Sequence, residues 1–322
     1  MVKRNISGVL LLDKPCGISS NKALQIIKYL YAAEKSGHTG TLDPMATGML
    51  PICLGEATKF SSILLSAPKT YEAVLKLGYR STTGDVEGEI EKVSDFQALN
   101  CSIHDCETVL KQFVGEIQQT PPMYSALKYR GKPLYVYARK GKMIQRNART
   151  IFIYGIKIDS LIGDELKIWV QCGTGTYIRT LAEDIGNALG CGSAYLIKLR
   201  RSSVASFDLL KSKTLAAIEE MDVLNRDECL LPVDSLLSDI PLLHLNQEEA
   251  LHLLKGRVLS AKPDAIHFSP SMTNRNIVYD VRLYHQQQFL GLGEVAMNLS
   301  LKPKRMMSNS YLSGLNCFTA NR

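Results

Sequence analysis

Residues 37–48 read GHTGTLDPMATG, a stretch that combines three glycines with three threonines and places Asp43 directly before Pro44. Glycine adopts backbone angles that other residues resist, so this composition predicts a shaped loop rather than a helix or a strand. Proline disfavours the α region for the residue before it, which restricts how Asp43 presents its carboxylate. The stretch therefore predicts a rigid loop built around one acidic side chain.

Residue chemistry allows two roles for Asp43. A fixed carboxylate can act as a nucleophile or a general base, but most loop aspartates only hydrogen-bond their own turn. The chain has no G-x-x-x-x-G-K-[ST] phosphate loop, no H-E-x-x-H zinc motif and no G-x-S-x-G elbow. If the protein is an enzyme, the sequence favours a single carboxylate that works without a metal or a cofactor.

The composition is that of an ordinary globular protein. The chain has 322 residues, of which 45% are hydrophobic and 21% charged, and this length favours two domains. No run of about 18 apolar residues is present, so we expect no membrane span. The apolar run Val9–Leu12 is too short for a signal peptide, and we expect a cytoplasmic location.

The eight cysteines are scattered and form no C-x-x-C pair. Cys101, His104 and Cys106 resemble part of a zinc site, but no fourth ligand follows at a useful spacing. We therefore expect reduced, mostly buried thiols and no metal.

The positive charge is concentrated in one segment. Residues 128–149 contain eight Lys or Arg and no acidic residue, so the other 300 residues sum to −1. Tyrosines 129, 135 and 137 alternate with these cations, and Tyr124 precedes them. Cations interleaved with aromatic rings suit a phosphate backbone with exposed bases. The alternative is a solvated basic face next to core tyrosines.

The hydrophobic patterns predict an α+β protein, because strands and helices mix without a regular βαβ rhythm. The principal elements predicted are strands at 8–13, 71–78, 151–158 and 166–171, and helices at 20–33, 57–65, 102–114, 177–189 and 214–221. A boundary is expected near Leu231–Pro241, which contains two prolines. Short apolar runs beyond it predict a small, mostly β domain.

Six blocks of the chain resemble the signatures of the TruB family of tRNA pseudouridine synthases. They stand in the family's order over about the first 205 residues: LLLDKPCGISSN (10–21), GHTGTLDPMATGMLPICLGEATKF (37–60), KTYEAVLKLG (69–78), PPMYSALKYRGKPLYVYAR (121–139), GTYIRTLAEDIG (175–186) and LRR (199–201). The C-terminal part resembles, more weakly, the family's PUA-type RNA-binding module.

The resemblance implies a domain organisation. Residues 1–238 would form the pseudouridine-synthase domain, with a mixed, largely antiparallel sheet flanked by helices. Residues 124–149 would be a thumb-like insertion that clamps RNA. Residues 239–307 would form the β-rich PUA-like domain. The polar residues 308–322 are an addition to the family pattern, and we expect them to form a flexible tail.

The resemblance also implies the reaction. Family members convert the uridine at position 55 in the T-arm loop of tRNA to pseudouridine without a metal or a cofactor. Asp43 matches the catalytic aspartate, Tyr71 the tyrosine that stacks on the target base, and Arg179 the arginine that pairs with the aspartate. From the residues alone, Tyr71 could be a core residue, and Arg179 could pair with Glu183 on an exposed helix face.

Four further residues match positions near the substrate. Tyr177 and Leu199 would line the base pocket, and His38 would contact RNA where the flipped base has left its stack. A loop histidine would otherwise be merely solvated. Lys14, in the DKP motif, would support the site. Tyr195 is a departure, because many members have histidine there.

The basic segment would bind the T-arm through its phosphates. The expected backbone contacts are Lys128, Arg130, Lys132, Arg139, Lys140 and Arg146. We expect tRNA as the partner, no obligatory protein partner and a monomer. Two alternatives are an RNA-binding module without catalysis and the guide-RNA-dependent branch of the superfamily.

Overall fold

The structure is a computed structural model that describes residues 2–260 and 278–314. Its strands are β1 (Gly8–Lys14), β2 (Ser36–His38), β3 (Thr47–Leu54), β4 (Lys69–Leu77), β5 (Tyr79–Ser81), β6 (Ile90–Lys92), β7 (Gly115–Gln119), β8 (Lys128–Tyr129), β9 (Lys132–Pro133), β10 (Arg149–Ile162), β11 (Glu165–Cys172), β12 (Ala194–Val204), β13 (Phe207–Asp208), β14 (Lys213–Thr214), β15 (Leu242–Leu245), β16 (Leu259–Ser260), β17 (Tyr279–His285), β18 (Gln288–Val295) and β19 (Ser300–Met306).

The α-helices are α1 (Ser20–Leu30), α2 (Ser61–Ser66), α3 (Ile103–Lys111), α4 (Leu134–Ala138), α5 (Ile178–Ala188), α6 (Leu215–Glu220), α7 (Val223–Glu228), α8 (Gln247–Leu254) and α9 (Asn309–Gly314). Four short 3₁₀ helices lie at Gly55–Lys59, Phe96–Leu99, Leu209–Lys211 and Val233–Leu237. The helix predicted for 20–33 is shorter than expected, because Ala32 adopts the left-handed conformation at φ +48°. Ser19 caps its N-terminus by accepting a hydrogen bond from the Lys22 N–H.

The strands form two main sheets. The larger has the order β14-β1-β3-β12-β4-β11-β10-β7, with β2 paired to β3 and β13 paired to β12. Only the β1–β14 and β3–β12 pairs in it are parallel. The second sheet, formed by strands within residues 242–260 and 279–306, has the order β15-β17-β18-β19-β16. The predicted α+β class is confirmed, with a mixed, largely antiparallel sheet and a β-rich C-terminal part.

Strand β1 has buried side chains on both of its faces. Leu10 and Leu12 pack in a core that α1, α3, α5 and α6 cover. Val9 and Leu11 point to the opposite face and pack in a second core with the C-terminal sheet. Burial on both sides explains why this strand is continuously apolar instead of alternating.

Residues 308–314 belong to the fold, which corrects the expectation of a flexible tail from residue 308. Leu312 in α9 is buried in the second core. The Ser308 N–H donates to the Glu56 carboxylate at 2.7 Å, and the Lys59 ammonium donates to the Met306 carbonyl at 3.1 Å. The rest of the expected tail, 315–322, lies outside the described residues.

Gly186 brings α5 close to the start of β12. A Cβ at this position would lie 2.2 Å from the Ser193 carbonyl carbon and 2.4 Å from the Ala194 nitrogen. Gly186→Ala should therefore destabilise the protein by about 1–3 kcal/mol, the cost of overpacking, although Gly→Ala in an exposed helix normally stabilises. Urea unfolding measures the difference.

The matched control is Asn187→Ala, one residue along the same helix on its exposed side. It should change the free energy of unfolding by no more than about 0.5 kcal/mol. Equal midpoints for wild type and Gly186→Ala would show that the two backbones can separate without cost.

Candidate active site

The loop that carries Asp43 is fixed by groups from distant parts of the chain. The Ser20 hydroxyl accepts from the Leu42 N–H at 2.7 Å and lies 2.9 Å from the Leu42 carbonyl, to which it donates. The Pro44 carbonyl accepts from the Gly17 N–H at 2.9 Å and from the Lys14 ammonium at 3.3 Å. The backbone on both sides of the aspartate is thus held in place.

Arg201 anchors the two ends of the same loop. Its guanidinium donates from Nε to the Met49 carbonyl at 2.7 Å and from Nη2 to the Gly40 carbonyl at 3.1 Å. Gly48 has φ +105°, and a Cβ there would lie 2.2 Å from the Arg201 carbonyl oxygen. The glycine is therefore required both by its backbone angle and by the close approach of β12.

Asp43 and Arg179 form a bidentate ion pair. Nε lies 2.9 Å from Oδ2, and Nη2 lies 3.2 Å from Oδ1. The Arg179 side chain is 5% exposed and the Asp43 side chain 31%, so the carboxylate faces an opening while its partner is buried. The two alternatives from sequence are wrong: Asp43 does not cap its own turn, and Arg179 does not pair with Glu183 on an exposed face.

Arg179 also ties two other segments to the site. Nη1 donates to the Thr83 carbonyl at 2.8 Å, and Nη2 donates to the Tyr124 carbonyl at 2.7 Å. A second carboxylate, Asp85, lies 3.8 Å from Nε and is buried. It accepts from the Thr83 hydroxyl at 2.6 Å and from the Glu87 N–H at 3.0 Å. Asp85 was not predicted as a site residue, because residues 82–89, TTGDVEGE, resemble an ordinary acidic turn.

The environment shifts several pKa values. Burial raises the pKa of Asp43 above its ordinary value, and the Arg179 guanidinium acts in the opposite direction. Burial lowers the pKa of Lys14 to about 8. Burial also raises the pKa of the Tyr71 hydroxyl, while nearby Arg201 opposes this shift.

Five of the predicted site residues line one cavity of about 270 Å³: Asp43, Tyr71, Tyr177, Arg179 and Leu199. The volume lies near the lower end of the range of small-molecule sites, roughly 300–1,000 Å³. Other side chains that line the cavity were not predicted from the sequence, among them Lys69, Ser125 and Arg201. Lys69 and Arg201 are buried cations at strand positions, where they had no distinguishing pattern.

Three residues singled out from sequence do not line this cavity. Lys14 is fully buried, and its ammonium donates to the carbonyls of Pro15 and Ile18 as well as Pro44. It supports the loop and is not placed to contact a substrate. His38 lies in β2, where burial lowers its pKa. Tyr195, the departure that precedes the LRR block, is buried on β12 outside the cavity.

The basic segment forms a small hairpin, β8–β9, followed by helix α4, and we call residues 124–149 the thumb. Leu134 anchors it in the interior, and the Tyr135 N–H donates to the Ser125 carbonyl at 3.2 Å. Of the predicted RNA-binding cations, Arg146 is half-buried and the other five are exposed: Lys128, Arg130, Lys132, Arg139 and Lys140. Within residues 2–260 and 278–314, none of the six pairs with a carboxylate.

The described residues contain neither a candidate metal cluster nor a membrane-spanning helix. No group of three or more His, Cys, Asp or Glu side chains in them is placed to hold a metal ion. Cys101 and Cys106 approach to 3.6 Å between sulfurs, while His104 is 80% exposed. No helix among these residues is both long and apolar enough to cross a membrane.

Comparison with known proteins gives one family from residue 28 to residue 307. The profile of the TruB family pseudouridylate synthase N-terminal domain matches residues 28–178. The tRNA pseudouridylate synthase B C-terminal domain matches residues 179–238, and the pseudouridine synthase II TruB C-terminal domain matches residues 241–307.

Similar proteins and structures agree with these profiles. The tRNA pseudouridine synthase B of Nitrosospira multiformis is 53% identical over 95% of this chain and 96% of its own length. That of Methylobacillus flagellatus is 48% identical over 95% and 97%. A Cbf5-Nop10-Gar1 complex contains a chain with the same fold, with a TM-score of 0.69 and 24% identity over 94% of this chain and 86% of that one. The chain therefore belongs to the TruB family of tRNA pseudouridine synthases.

Proposed function

We propose that the protein isomerises uridine to pseudouridine at position 55 in the T-arm loop of tRNA, with Asp43 as the essential carboxylate. The observation that carries the proposal is the Asp43–Arg179 ion pair, which faces a cavity lined by Tyr71 and Leu199. The relatives described above are tRNA pseudouridine synthases by name.

The proposed reaction needs no oxidant, because product and substrate have the same composition. The bond from C1′ of the ribose to N1 of uracil breaks, and a bond from C1′ to C5 forms. C5 loses its proton and N1 gains one. Asp43 can attack C1′, attack the base or remove the C2′ proton, and each of these roles needs the ionised carboxylate.

The target uridine must leave its stack before it can enter the cavity. Tyr71 and Tyr177 are aromatic and Leu199 is aliphatic, which suits an extruded base. Stacking of a base on an aromatic ring is worth about 1–3 kcal/mol. We propose that Tyr71 stacks on the uracil base, since Tyr71 and Asp43 line the same cavity.

The alternative of an RNA-binding module without catalysis is less favoured. Binding alone does not require a carboxylate held by a bidentate arginine, with a second buried carboxylate, Asp85, behind it. The guide-RNA-dependent alternative is also less favoured, because the relatives at 53% and 48% identity are tRNA enzymes by name. We propose that the protein acts on tRNA as a monomer without an obligatory protein partner.

Asp43→Asn should lower the rate of pseudouridine formation at least a hundredfold, because general acid–base catalysis contributes about a hundredfold or more. The affinity for tRNA should change only a few fold. The rate is measured by pseudouridine mapping of an unmodified T-arm stem-loop. The control is Asp159→Asn, at an exposed position of β10, which should leave the rate unchanged. An Asp43→Asn protein with normal turnover would refute the assignment.

The pH dependence of single-turnover rates should show the Asp43 titration. The carboxylate must be ionised, so the rate falls as pH falls through its pKa, which burial raises above the ordinary value. Arg179→Gln removes a cation that lowers this pKa, and its acidic limb should therefore move to higher pH.

Arg200→Gln is the matched control for the pH profile, because it removes an ion pair to Asp13 without touching the cavity. Its acidic limb should coincide with that of wild type. An unchanged limb in Arg179→Gln would mean that another group sets the profile.

Replacing Lys128 and Lys132 with glutamine should weaken tRNA binding and flatten its salt dependence. A plot of log affinity against log salt concentration has a negative slope. Each lost phosphate contact reduces the magnitude of this slope by about 0.7–0.9. The control exchanges Lys211 and Lys213, which are exposed at the opposite edge of the large sheet. Equal salt slopes for the two double variants would exclude the thumb as a phosphate-binding surface.

A further inference from the structure

Arg149 lies where the thumb returns to the large sheet. It is the first residue of β10 and lines the same cavity as Asp43 and Tyr177. It differs from the exposed thumb cations because its side chain is half-buried and points to the site rather than to open solvent. None of the roles described above uses it.

The guanidinium of Arg149 is held by the segment that precedes α5. Its Nη2 donates to the Gly175 carbonyl, and its Cζ lies 5.2 Å from the centre of the Tyr177 ring. Gly175 has φ +82°, and a Cβ there would lie 3.2 Å from both Cζ and Nη2. The missing side chain at 175 thus leaves the space that the guanidinium occupies.

Tyr177 is itself a rigid support. Its N–H donates to the Gln119 Oε1 at 2.8 Å, and its carbonyl accepts from the Gln119 Nε2 at 3.1 Å. Gln119 is 1% exposed, so water does not compete for these bonds. Arg149 therefore packs on a tyrosine whose backbone is fixed from the core.

Arg149 keeps binding capacity that the protein does not use. Its Nε is buried and has no hydrogen-bond partner anywhere in the described chain, and no carboxylate there pairs with its charge. The Ser125 hydroxyl, which lines the same cavity, is likewise buried without a partner. Buried donors are normally satisfied, so two unsatisfied ones at one cavity indicate a polar ligand.

We propose that Arg149 binds the phosphate attached to the ribose of the extruded uridine. Arginine suits this role, because its planar guanidinium fork matches phosphate oxygens. With the base between Tyr71 and Leu199 and the ribose at Asp43, the attached phosphates are the anionic groups that remain at the cavity mouth. The inference rests on the function proposed above and adds a specific backbone contact to it.

A chemical double-mutant cycle tests the contact. Wild type and Arg149→Gln are each given a T-arm stem-loop with normal phosphates, or with one neutral methylphosphonate on the 5′ or 3′ side of the target uridine. Wild type should lose about ten- to a hundredfold in kcat/KM at one of the two positions, and Arg149→Gln should lose as much on normal RNA. The two changes together should cost no more than either alone.

A merely structural role for Arg149 would lower activity equally on charged and neutral RNA, so additive losses at both positions would overturn the proposal. Arg149→Lys keeps the charge and should remain sensitive to the methylphosphonate. Lys157→Gln is the control, because Lys157 likewise lies over an aromatic ring, 5.6 Å from the centre of Trp169, but outside both the cavity and the thumb. It should leave the methylphosphonate effect unchanged.

The same combinations are measured as dissociation constants. Non-additive binding at one phosphate would support the contact even if wild type converted no uridine, and that absence of conversion would refute the proposed function alone. Additive binding together with normal conversion would refute the contact and leave the proposed function standing.

Discussion

The ion pair between Asp43 and Arg179 is the interaction on which the geometry of the site depends. A buried guanidinium is costly unless its donors are satisfied, and Arg179 meets that requirement with bonds to Asp43, Thr83 and Tyr124. These partners come from the glycine-rich loop, the acidic turn and the base of the thumb. One side chain therefore sets the relative positions of three segments that are far apart in sequence.

Two other buried cations act on the same loop without a carboxylate partner among the described residues. Lys14 donates to three backbone carbonyls, and Arg201 donates to two. Satisfying a buried charge with carbonyl groups fixes the backbone that carries them. The loop is consequently rigid because side chains hold it, and its glycines provide the shape but not the stiffness. In the role proposed above for Asp43, a carboxylate held in this way would need little reorganisation.

Helices, strands and motifs that have a local sequence signal could be predicted from the sequence. The hydrophobic pattern placed α5 within one residue of its observed ends, and the resemblance to the TruB family placed Asp43, Tyr71 and Arg179 at one site, where the structure brings them together in a cavity. Contacts between distant segments had no such signal. Asp85 resembled a turn residue, and Arg149 was one cation among eight. The burial of Leu312 was missed because a polar composition hid a single apolar anchor.

The shared second core has a consequence for synthesis of the chain. Val9 and Leu11 pack in one apolar cluster with Val281, Leu301 and Leu312. These two residues of β1 can therefore be buried only after the C-terminal strands have been synthesised. Strand β1 also needs β14, some 200 residues later, for its parallel partner. During translation one face of the early sheet remains uncovered, and this long interval is the period in which the nascent protein is most exposed to aggregation and to chaperone binding.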